Sequence, residues 1–328
     1  MPFRASFDCL WCGASHACRG PDDLEGWAQL CPECVGKAGD NGFLRYRLRQ
    51  ALSERSRSGS GVAVAEPVPA AAAAAGAAAA ESASAGVGAA LAPDDLDRSM
   101  VAYYEARAAE YDDWYLRRGR YARGAIHDAA WAAELDMAGR WLDALPIAGE
   151  IVELAAGTGW WSPLLAVKGE LSMYDASAAP LEHARERLVA HRLRAHLHVR
   201  DAWAEPDRAV DAVFAGFWLS HVPRERLAAF LALVRRWLKP GGRVAFIDSL
   251  PDPASGAADH PTPADDLAVR HLDDGRAFTI VKVFYTPDEL TAALQVAGFD
   301  AVEVSTSGRF FLLATGVAAD VPGPRDTD

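Results

Sequence analysis

The segment from Ile151 to Ser162, I-V-E-L-A-A-G-T-G-W-W-S, has the residue types of a cofactor-binding bend. An apolar run of β-type residues ends in a Gly-x-Gly turn formed by Gly157 and Gly159, and a predicted helix follows. Glycines let a ligand lie against bare backbone where side chains would collide with it. The first turn of the helix offers unpaired N–H groups. The bend predicts a nucleotide-like cofactor, although some Gly-rich turns are only tight turns.

Acidic and aromatic residues follow the next predicted strands. Asp175 ends the second strand, 16 residues after Gly159, where a carboxylate can accept from both hydroxyls of a ribose. Asp201 ends the third strand and can accept from the amine of an adenine, while Trp203 offers its ring. Phe217 ends the fourth strand. One such aspartate could equally cap a helix, but the ordered set favours a binding site at one sheet edge.

The elements that must position these residues lie between about 94 and 316, where helical and strand patterns alternate. Such alternation predicts an α/β fold with a parallel sheet. The predicted strands are 150–154, 171–174, 196–199, 211–217, 244–247, 278–284, 301–305 and 310–314, and the predicted helices are 100–116, 126–145, 180–190, 224–238 and 287–297. The Pro- and Asp-rich stretch 250–275 predicts a long surface loop.

The ordered motifs resemble those of class I S-adenosylmethionine-dependent methyltransferases. They read E-L-A-A-G-T-G, M-Y-D-A-S, R-D-A-W, V-D-A-V-F-A-G-F-W-L-S-H-V and L-K-P-G-G-R-V-A-F-I-D. The resemblance covers residues 94–316 and implies a Rossmann-like doubly wound sheet with strand order 3-2-1-4-5-7-6. A dinucleotide-binding fingerprint would have a third glycine shortly after Gly159, but Trp160, Trp161 and Ser162 stand there instead.

The resemblance implies S-adenosyl-L-methionine as cofactor, and the matching positions imply its contacts. The Gly-x-Gly turn and Glu153 would hold the methionine part, Asp175 the ribose and Asp201 the adenine. Residues 217–220 would line the pocket beneath the cofactor. The residues predicted to bind the cofactor are Tyr104, Tyr111, Glu153, Ala155, Gly157, Gly159, Asp175, Ala176, Asp201, Ala202, Trp203, Phe217 and Leu219.

An aromatic helix precedes the first strand and resembles the N-terminal lid helix of small-molecule methyltransferases. Tyr104, Arg107, Tyr111 and Tyr115 share one face at helical spacing. A sulfonium benefits from aromatic and oxygen neighbours. A tyrosine stripe is also common in plain packing.

Methyl transfer needs a general base only when the acceptor must lose a proton. His221, just after the fourth strand, is the best-placed base, and Tyr111 is the second catalytic candidate, although His221 could instead brace its loop. Asp248 and His127 are weaker candidates. Arg276 in L-D-D-G-R-A-F could hold an acidic acceptor, unless the Asp-Gly pair simply marks a hairpin.

The amino-terminal residues 1–52 carry two C-x-x-C pairs, Cys9 with Cys12 and Cys31 with Cys34, separated by 18 residues. This spacing predicts a zinc-ribbon-like module with a structural Zn²⁺ held by four thiolates. Metal binding would supply the folding free energy that so short a segment lacks. Redox use of the pairs is the alternative. Zinc ribbons bind nucleic acid, bind protein or merely fold, and the sequence does not choose.

Composition narrows the function. Residues 53–93 are Ala-, Gly- and Ser-rich and predict a disordered linker, and 317–328 predict a disordered tail. The chain has a net charge of −12, and residues 94–328 hold 25 Lys and Arg against 36 Asp and Glu. Such a domain repels a polyanion, so nucleic acid is not the favoured partner. Without a secretion signal or membrane span in the sequence, we expect a cytoplasmic protein.

Three functions remain. The leading hypothesis is a methyltransferase that uses S-adenosylmethionine to methylate oxygen or nitrogen of a small molecule. The second is an RNA methyltransferase anchored by the zinc module, because a four-cysteine module ahead of such a core resembles the ribosomal RNA guanine-N1 methyltransferases. The third is a non-catalytic regulatory protein that binds S-adenosylmethionine.

Overall fold

A computed structural model of the chain describes residues 6–8, 15–17, 93–257, 259–260 and 266–319. The chain divides into two units, Met1–Val87 and Gly88–Asp328. In the first unit, strands β1 (Ser6–Asp8) and β2 (Ser15–Ala17) pair antiparallel. The predicted linker up to residue 92 and the predicted zinc ligands lie outside the described residues; those ligands are Cys9, Cys12, Cys31 and Cys34.

The second unit is built on a seven-stranded mixed sheet. Five strands are parallel: β3 (Gly149–Leu154), β4 (Gly169–Asp175), β5 (His196–Val199), β6 (Val210–Gly216) and β7 (Leu238–Ser249). Strands β10 (Phe299–Thr306) and β11 (Phe311–Ala318) join antiparallel beyond β7. The order is β5-β4-β3-β6-β7-β11-β10. Counted within the sheet this is 3-2-1-4-5-7-6, so the predicted order is confirmed.

Helices cover the sheet on both faces, as a parallel sheet with apolar central strands requires. Ile151 and Val152 on β3 and Val213 and Phe214 on β6 are fully buried. The helices are α1 (Pro93–Arg107), α2 (Tyr111–Leu116), α3 (Ala125–Ala144), α4 (Ser162–Ala166), α5 (Ala178–Ala190), α6 (Leu227–Trp237) and α7 (Pro287–Val296). None of the helices in the described part of the chain combines the length and the apolar character that crossing a membrane requires.

The predicted helix 100–116 is interrupted in the structure. Helix α1 ends at Arg107, a 3-10 turn spans Ala108–Glu110, and α2 begins at Tyr111. The side chain of Arg107 packs inward at this break, with 8% of its surface exposed. The break therefore turns the Arg107 side chain inward and places Tyr111 at the start of the next helix.

The prediction of a loop over 250–275 is wrong for its last part. Residues Leu267–His271 form β8, which pairs antiparallel with β9 (Ala277–Val281). The Pro and Asp content of the stretch hid the short β-type run L-A-V-R-H at Leu267–His271. The hairpin packs on α1, where Ser99 Oγ donates to the Thr279 carbonyl at 2.8 Å and the Tyr103 and Phe278 rings lie 5.6 Å apart. Helix α1 and the hairpin together cover the carboxyl edge of the sheet.

Candidate active site

The Gly-x-Gly bend after β3 forms one end of a crevice along the carboxyl edge of the sheet. Gly157 has a φ of 55°, and a Cβ atom there would meet nothing within 4 Å. The bend thus presents bare backbone to open space, which is what a bound cofactor needs. Gly157 N–H also donates to the Asp175 carboxylate at 2.8 Å, so the bend and the end of β4 are tied together.

Asp175 is the polar centre of this crevice. Its other carboxylate oxygen accepts from Ser177 N–H at 2.9 Å. Burial raises the pKa of Asp175 to about 6, and the nearby Asp201 carboxylate adds to the increase while the two backbone hydrogen bonds oppose it. Above that pH the group is a carboxylate with lone pairs left to accept further hydrogen bonds, such as those of a ribose.

Two predicted cofactor residues lie behind the bend and do not line the crevice. Gly159 packs on α5, since a Cβ there would lie 2.8 Å from the Ala184 Cβ. Glu153 is 2% exposed and accepts from Ser162 Oγ at 2.6 Å, and burial raises its pKa to about 8. Their contact with the methionine part of the cofactor stays a prediction. In the structure Gly159 and Glu153 pack behind the bend and support it.

The far end of the crevice is formed by the chain after β5. Asp201 accepts from Trp203 N–H at 2.7 Å. The Trp203 ring is fixed between Phe230, 5.2 Å between centroids, and the Arg226 guanidinium, 4.0 Å from the ring centroid. The predicted residues that line the crevice are Tyr104, Tyr111, Ala155, Gly157, Asp175, Ala176, Asp201, Ala202, Trp203, Phe217 and His221. Leu219 instead lies in the core, 1% exposed.

The sequence did not lead us to predict that the start of α1 forms a wall of the crevice. Asp97, Met100 and Val101 line it beside Tyr104. Their spacing of three and four residues continues the tyrosine stripe toward the amino terminus. That spacing was the available signal.

A second cavity of about 270 Å³ adjoins the crevice. Both cavities are lined by Tyr104, Tyr111, Phe217 and His221, which we call the junction. Ligands in the two cavities would therefore meet at the junction.

The larger cavity is strongly basic. Its lining contains Arg107, Arg123, Arg270 and Lys282 against the carboxylate of Asp252. Arg123 Nη2 donates to backbone carbonyls, including that of Gly256 at 3.1 Å, and Asp252 pairs with Arg309 outside the lining at 2.5 Å. Arg107, Arg270 and Lys282 add three further positive charges to the lining.

Arg107 is buried without a carboxylate partner among the described residues. Its guanidinium lies 4.5 Å from the Tyr111 ring centroid and 5.5 Å and 5.6 Å from those of Tyr103 and Tyr121. Aromatic faces stabilise a cation, but less than an anion does in a low-dielectric interior. Arg270 on β8 is similar: its Nη1 donates to the Val269 carbonyl at 3.1 Å, and within the described ranges it has no ion pair.

Lys282 follows β9 and points toward the same cavity. Its Nζ donates to Ser220 Oγ at 2.9 Å and Ser249 Oγ at 3.2 Å. Burial lowers the pKa of Lys282 to about 8, although the Asp248 carboxylate opposes the change. Asp248 itself accepts from Ser220 N–H at 2.9 Å, so it is a buried brace outside the cavity lining.

His221 and Tyr104 form a hydrogen bond at the junction, with 2.6 Å between Tyr104 Oη and His221 Nε2. His221 Nδ1 lies 2.7 Å from the Val281 carbonyl. Because a carbonyl only accepts, Nδ1 carries the hydrogen and Nε2 accepts from the Tyr104 hydroxyl. Burial, together with the neighbouring Lys282 ammonium, lowers the pKa of His221 well below its usual value.

The remaining sequence candidates lie elsewhere. Arg276 is at the tip of the β8–β9 hairpin, exposed and paired with Asp274 at 2.7 Å, so the hairpin interpretation holds for it. His127 lies on α3 against Phe310, 5.2 Å between ring centroids. The cations that do enter the site, Arg270 and Lys282, were missed. Each interrupts a run of β-type residues, L-A-V-R-H and F-T-I-V-K-V-F, which was the sequence signal.

The chain is similar to known proteins in both sequence and fold. Residues 151–242 match a family described as a methyltransferase domain. Structures of DhpI in complex with SAH, and with SAM and HEP, are each 34% identical to this chain with a TM-score of 0.54. They cover 69% and 67% of this chain and 98% and 97% of those chains. The chain belongs to the S-adenosylmethionine-dependent methyltransferases.

Curated relatives match a shorter part of the methyltransferase. The ubiquinone/menaquinone biosynthesis C-methyltransferase UbiE of Coxiella burnetii is 35% identical over 106 residues, which are 30% of this chain. That match spans 42% of the relative's length. In this methyltransferase the crevice suits S-adenosylmethionine, since an open glycine backbone stands at one end, the Asp175 carboxylate lies beside it and the Asp201 carboxylate stands toward the other end.

The state of Asp175 should control cofactor affinity. We expect the dissociation constant for S-adenosylhomocysteine, measured by calorimetry, to rise as pH falls through 6, because protonation removes acceptor capacity. Asp175→Asn should weaken binding more than tenfold and remove this pH dependence. Asp300→Asn, at an exposed residue of β10, is the control. Equal affinity of Asp175→Asn and wild type would contradict this role.

Proposed function

We propose that this methyltransferase transfers the methyl group of S-adenosylmethionine to a small molecule that carries an oxyanion, such as a carboxylate or phosphoryl group. The observation that supports this is the pair Arg107 and Arg270, which line the larger cavity without a carboxylate partner among the described residues. Lys282 adds a third positive charge to the same lining.

The energetics favour a bound anion. Removing a charged group from water costs several kcal/mol unless an opposite charge compensates it. Tyrosine rings compensate Arg107 in part, each by about 1 kcal/mol. An oxyanion in the cavity would make charge-assisted hydrogen bonds to the guanidinium and ammonium groups, each worth about 2 kcal/mol. The anion therefore supplies the missing counter-charge.

The size of the cavity supports a small acceptor. Its volume of about 270 Å³ is near the lower end of ordinary ligand pockets, roughly 300 Å³ and more. Such a space holds a compact metabolite or the anionic end of a longer one. With the acidic charge balance of the domain, this argues for a metabolite over a nucleic acid.

The residues of the chain would act by binding and alignment. Arg107, Arg270 and Lys282 hold the oxyanion and so aim the acceptor toward the junction. Phe217, which is 6% exposed, and Tyr104 would limit the access of water to the junction, which strengthens these charge interactions. The bound cofactor supplies the electrophilic methyl group. Holding two reactants in line is the main catalytic contribution that such a site offers.

A labelling experiment tests the acceptor class. A metabolite extract is divided by anion exchange into retained and unretained fractions, and each is incubated with the full chain and methyl-labelled S-adenosylmethionine. We expect label in small molecules of the retained fraction. Label only in the unretained fraction contradicts the proposal. Label in total RNA supports the RNA alternative, and cofactor binding without transfer to any fraction supports the regulatory alternative.

Arg270 and Arg276 give a matched pair on one hairpin. With S-adenosylhomocysteine present, we expect inorganic phosphate at millimolar concentration to raise the melting temperature of wild type and of Arg276→Leu. Arg270→Leu should weaken phosphate binding about tenfold or more, because a charged hydrogen bond of about 2 kcal/mol is lost. Equal phosphate responses of the two variants would contradict an anion site at Arg270.

Lys282 should make anion binding depend on pH. Its pKa near 8 means that the ammonium is present below pH 8 and lost above it. We therefore expect phosphate affinity to fall between pH 7 and pH 9, measured by calorimetry. Lys282→Arg should flatten this fall, because a guanidinium stays charged. A fall of the same size in Lys282→Arg would assign the titration to another group.

We also propose that the amino-terminal cysteines hold one structural zinc ion, as their spacing predicts. Metal analysis of the full chain should give one zinc per chain. The double change Cys9→Ser and Cys12→Ser should remove it, whereas Cys18→Ser should retain it, because Cys18 stands outside the C-x-x-C pairs. A zinc-free wild type, or loss of zinc in Cys18→Ser, would contradict this ligand set.

A further inference from the structure

One wall of the larger cavity is a short segment, 252–257, which we call the strap. It is held by its backbone: Trp114 Nε1 donates to the Ser255 carbonyl at 2.8 Å, and Arg117 Nη2 donates to the Ala254 carbonyl at 2.6 Å. Arg117 is itself only 6% exposed. The strap is therefore a fixed wall, because side chains at the end of α2 hold its main chain.

His260 follows the strap and lines the same cavity. Its N–H donates to the Ala257 carbonyl at 3.1 Å, and its ring centroid lies 6.3 Å from that of Tyr121. The ring also contacts strand β8, which carries Arg270. The imidazole thus adds a polar group to the wall beside the three cations.

The hydrogen bond to β8 determines which ring nitrogen carries the hydrogen. His260 Nε2 lies 3.1 Å from the His271 nitrogen and 3.2 Å from the His271 carbonyl oxygen. A backbone N–H only donates, and a hydrogen on Nε2 would point at the hydrogen of that N–H. The His271 carbonyl instead accepts from Arg120 Nη1. Nε2 is therefore the acceptor, and the hydrogen of the neutral ring is on Nδ1.

Nδ1 lies across the ring from Nε2 and is directed away from the His271 backbone. Within the part of the chain that the structure describes, its hydrogen has no acceptor. Burial, together with the nearby charge of Arg270, lowers the pKa of His260 to about 4. At neutral pH the ring is therefore uncharged, with one donor available to a ligand in the cavity.

We propose that His260 Nδ1 donates a hydrogen bond to the oxyanion of the acceptor, as an uncharged ligand beside Arg270. This inference rests on the proposed function, because it assumes an oxyanion in the larger cavity. The His271 N–H fixes the imidazole next to the Arg270 position, since residues 270 and 271 are adjacent on β8. One anion can therefore accept from both side chains.

An uncharged donor suits this position. Arg107, Arg270 and Lys282 already place three positive charges on the lining, and a fourth cation would increase their mutual repulsion when no ligand is bound. A neutral N–H adds no charge, yet its hydrogen bond to an ionised oxygen is stronger than one between two neutral groups. His260 thus contributes to anion affinity without adding repulsion to the ligand-free cavity.

The tautomer of His260 is tested without any ligand. Nitrogen NMR spectra of the full chain, labelled at histidine, distinguish a hydrogen on Nδ1 from one on Nε2, and the His260 signals are assigned by their loss in His260→Asn. We expect the Nδ1–H form at neutral pH, and a shift of its signal when inorganic phosphate is added with S-adenosylhomocysteine. An Nε2–H form or an imidazolium overturns the inference.

Two amide substitutions separate the ligand role from the bond to β8. The amide of asparagine reaches the position of Nδ1, whereas that of glutamine reaches the position of Nε2. In calorimetry with S-adenosylhomocysteine present, His260→Leu and His260→Gln should each raise the dissociation constant for inorganic phosphate about tenfold, the loss of one hydrogen bond to a charged group. His260→Asn should lie closer to wild type than either, because it keeps a donor at the Nδ1 position.

His271→Leu is the matched control, because it changes a ring outside the cavity lining and keeps the backbone N–H that orients His260. Its phosphate affinity should equal that of wild type. Wild-type affinity in His260→Gln, or an affinity in His260→Asn as weak as that of His260→Leu, overturns the inference and leaves Arg270 as an anion ligand. Absence of phosphate binding by the wild type contradicts the proposed anion site, and this inference with it.

Discussion

The buried guanidinium of Arg107 is the constraint on which the acceptor side of this molecule depends. With 8% of its surface exposed and aromatic rings around it, it has no carboxylate partner within the part of the chain that the structure describes, although a buried charge requires one. Its location follows from the break after α1, which turns this side chain inward. Arg270 lies on the hairpin and Lys282 directly follows it, so two separate elements concentrate positive charge in a cavity where a bound anion would neutralise it.

This basic cavity lies in a chain whose net charge is −12. The two facts are compatible because fields from exposed charges are screened within about 10 Å, whereas charges in a cavity are screened much less. An extended polyanion would meet the acidic surface along its length. A compact anion passes only a small part of the acidic surface and then binds to the cations inside the cavity. The charge distribution of the molecule thus favours ligands that are small as well as negatively charged.

The cofactor side was predictable from sequence, and the acceptor side was not, for a physical reason. Asp175 ends β4 and Asp201 follows β5, the next parallel strand, so their common edge follows from the strand pattern alone. Arg270 reaches the cavity because β8 pairs with β9 and the hairpin packs on α1, contacts that join distant parts of the chain. The sequence made Arg276, beside a local Asp-Gly pair, a candidate for holding an acidic acceptor. In the structure Arg276 lies exposed at the hairpin tip and pairs with Asp274. The sequence around the break after Arg107 likewise contains no glycine or proline that would indicate the end of a helix.

Helix α1 links donor and acceptor in one rigid element. Asp97, Met100 and Val101 line the crevice, Tyr104 the junction and Arg107 the larger cavity, so one face spans both sites over about 15 Å at 1.5 Å per residue. The helix is held at Asp97 by Arg226, 3.2 Å between atoms, and α2 is held to the bend where Thr158 Oγ1 donates to Asp112 at 2.7 Å. Because alignment is the main catalytic requirement, a shift of this helix would misplace the methyl group and the oxyanion together.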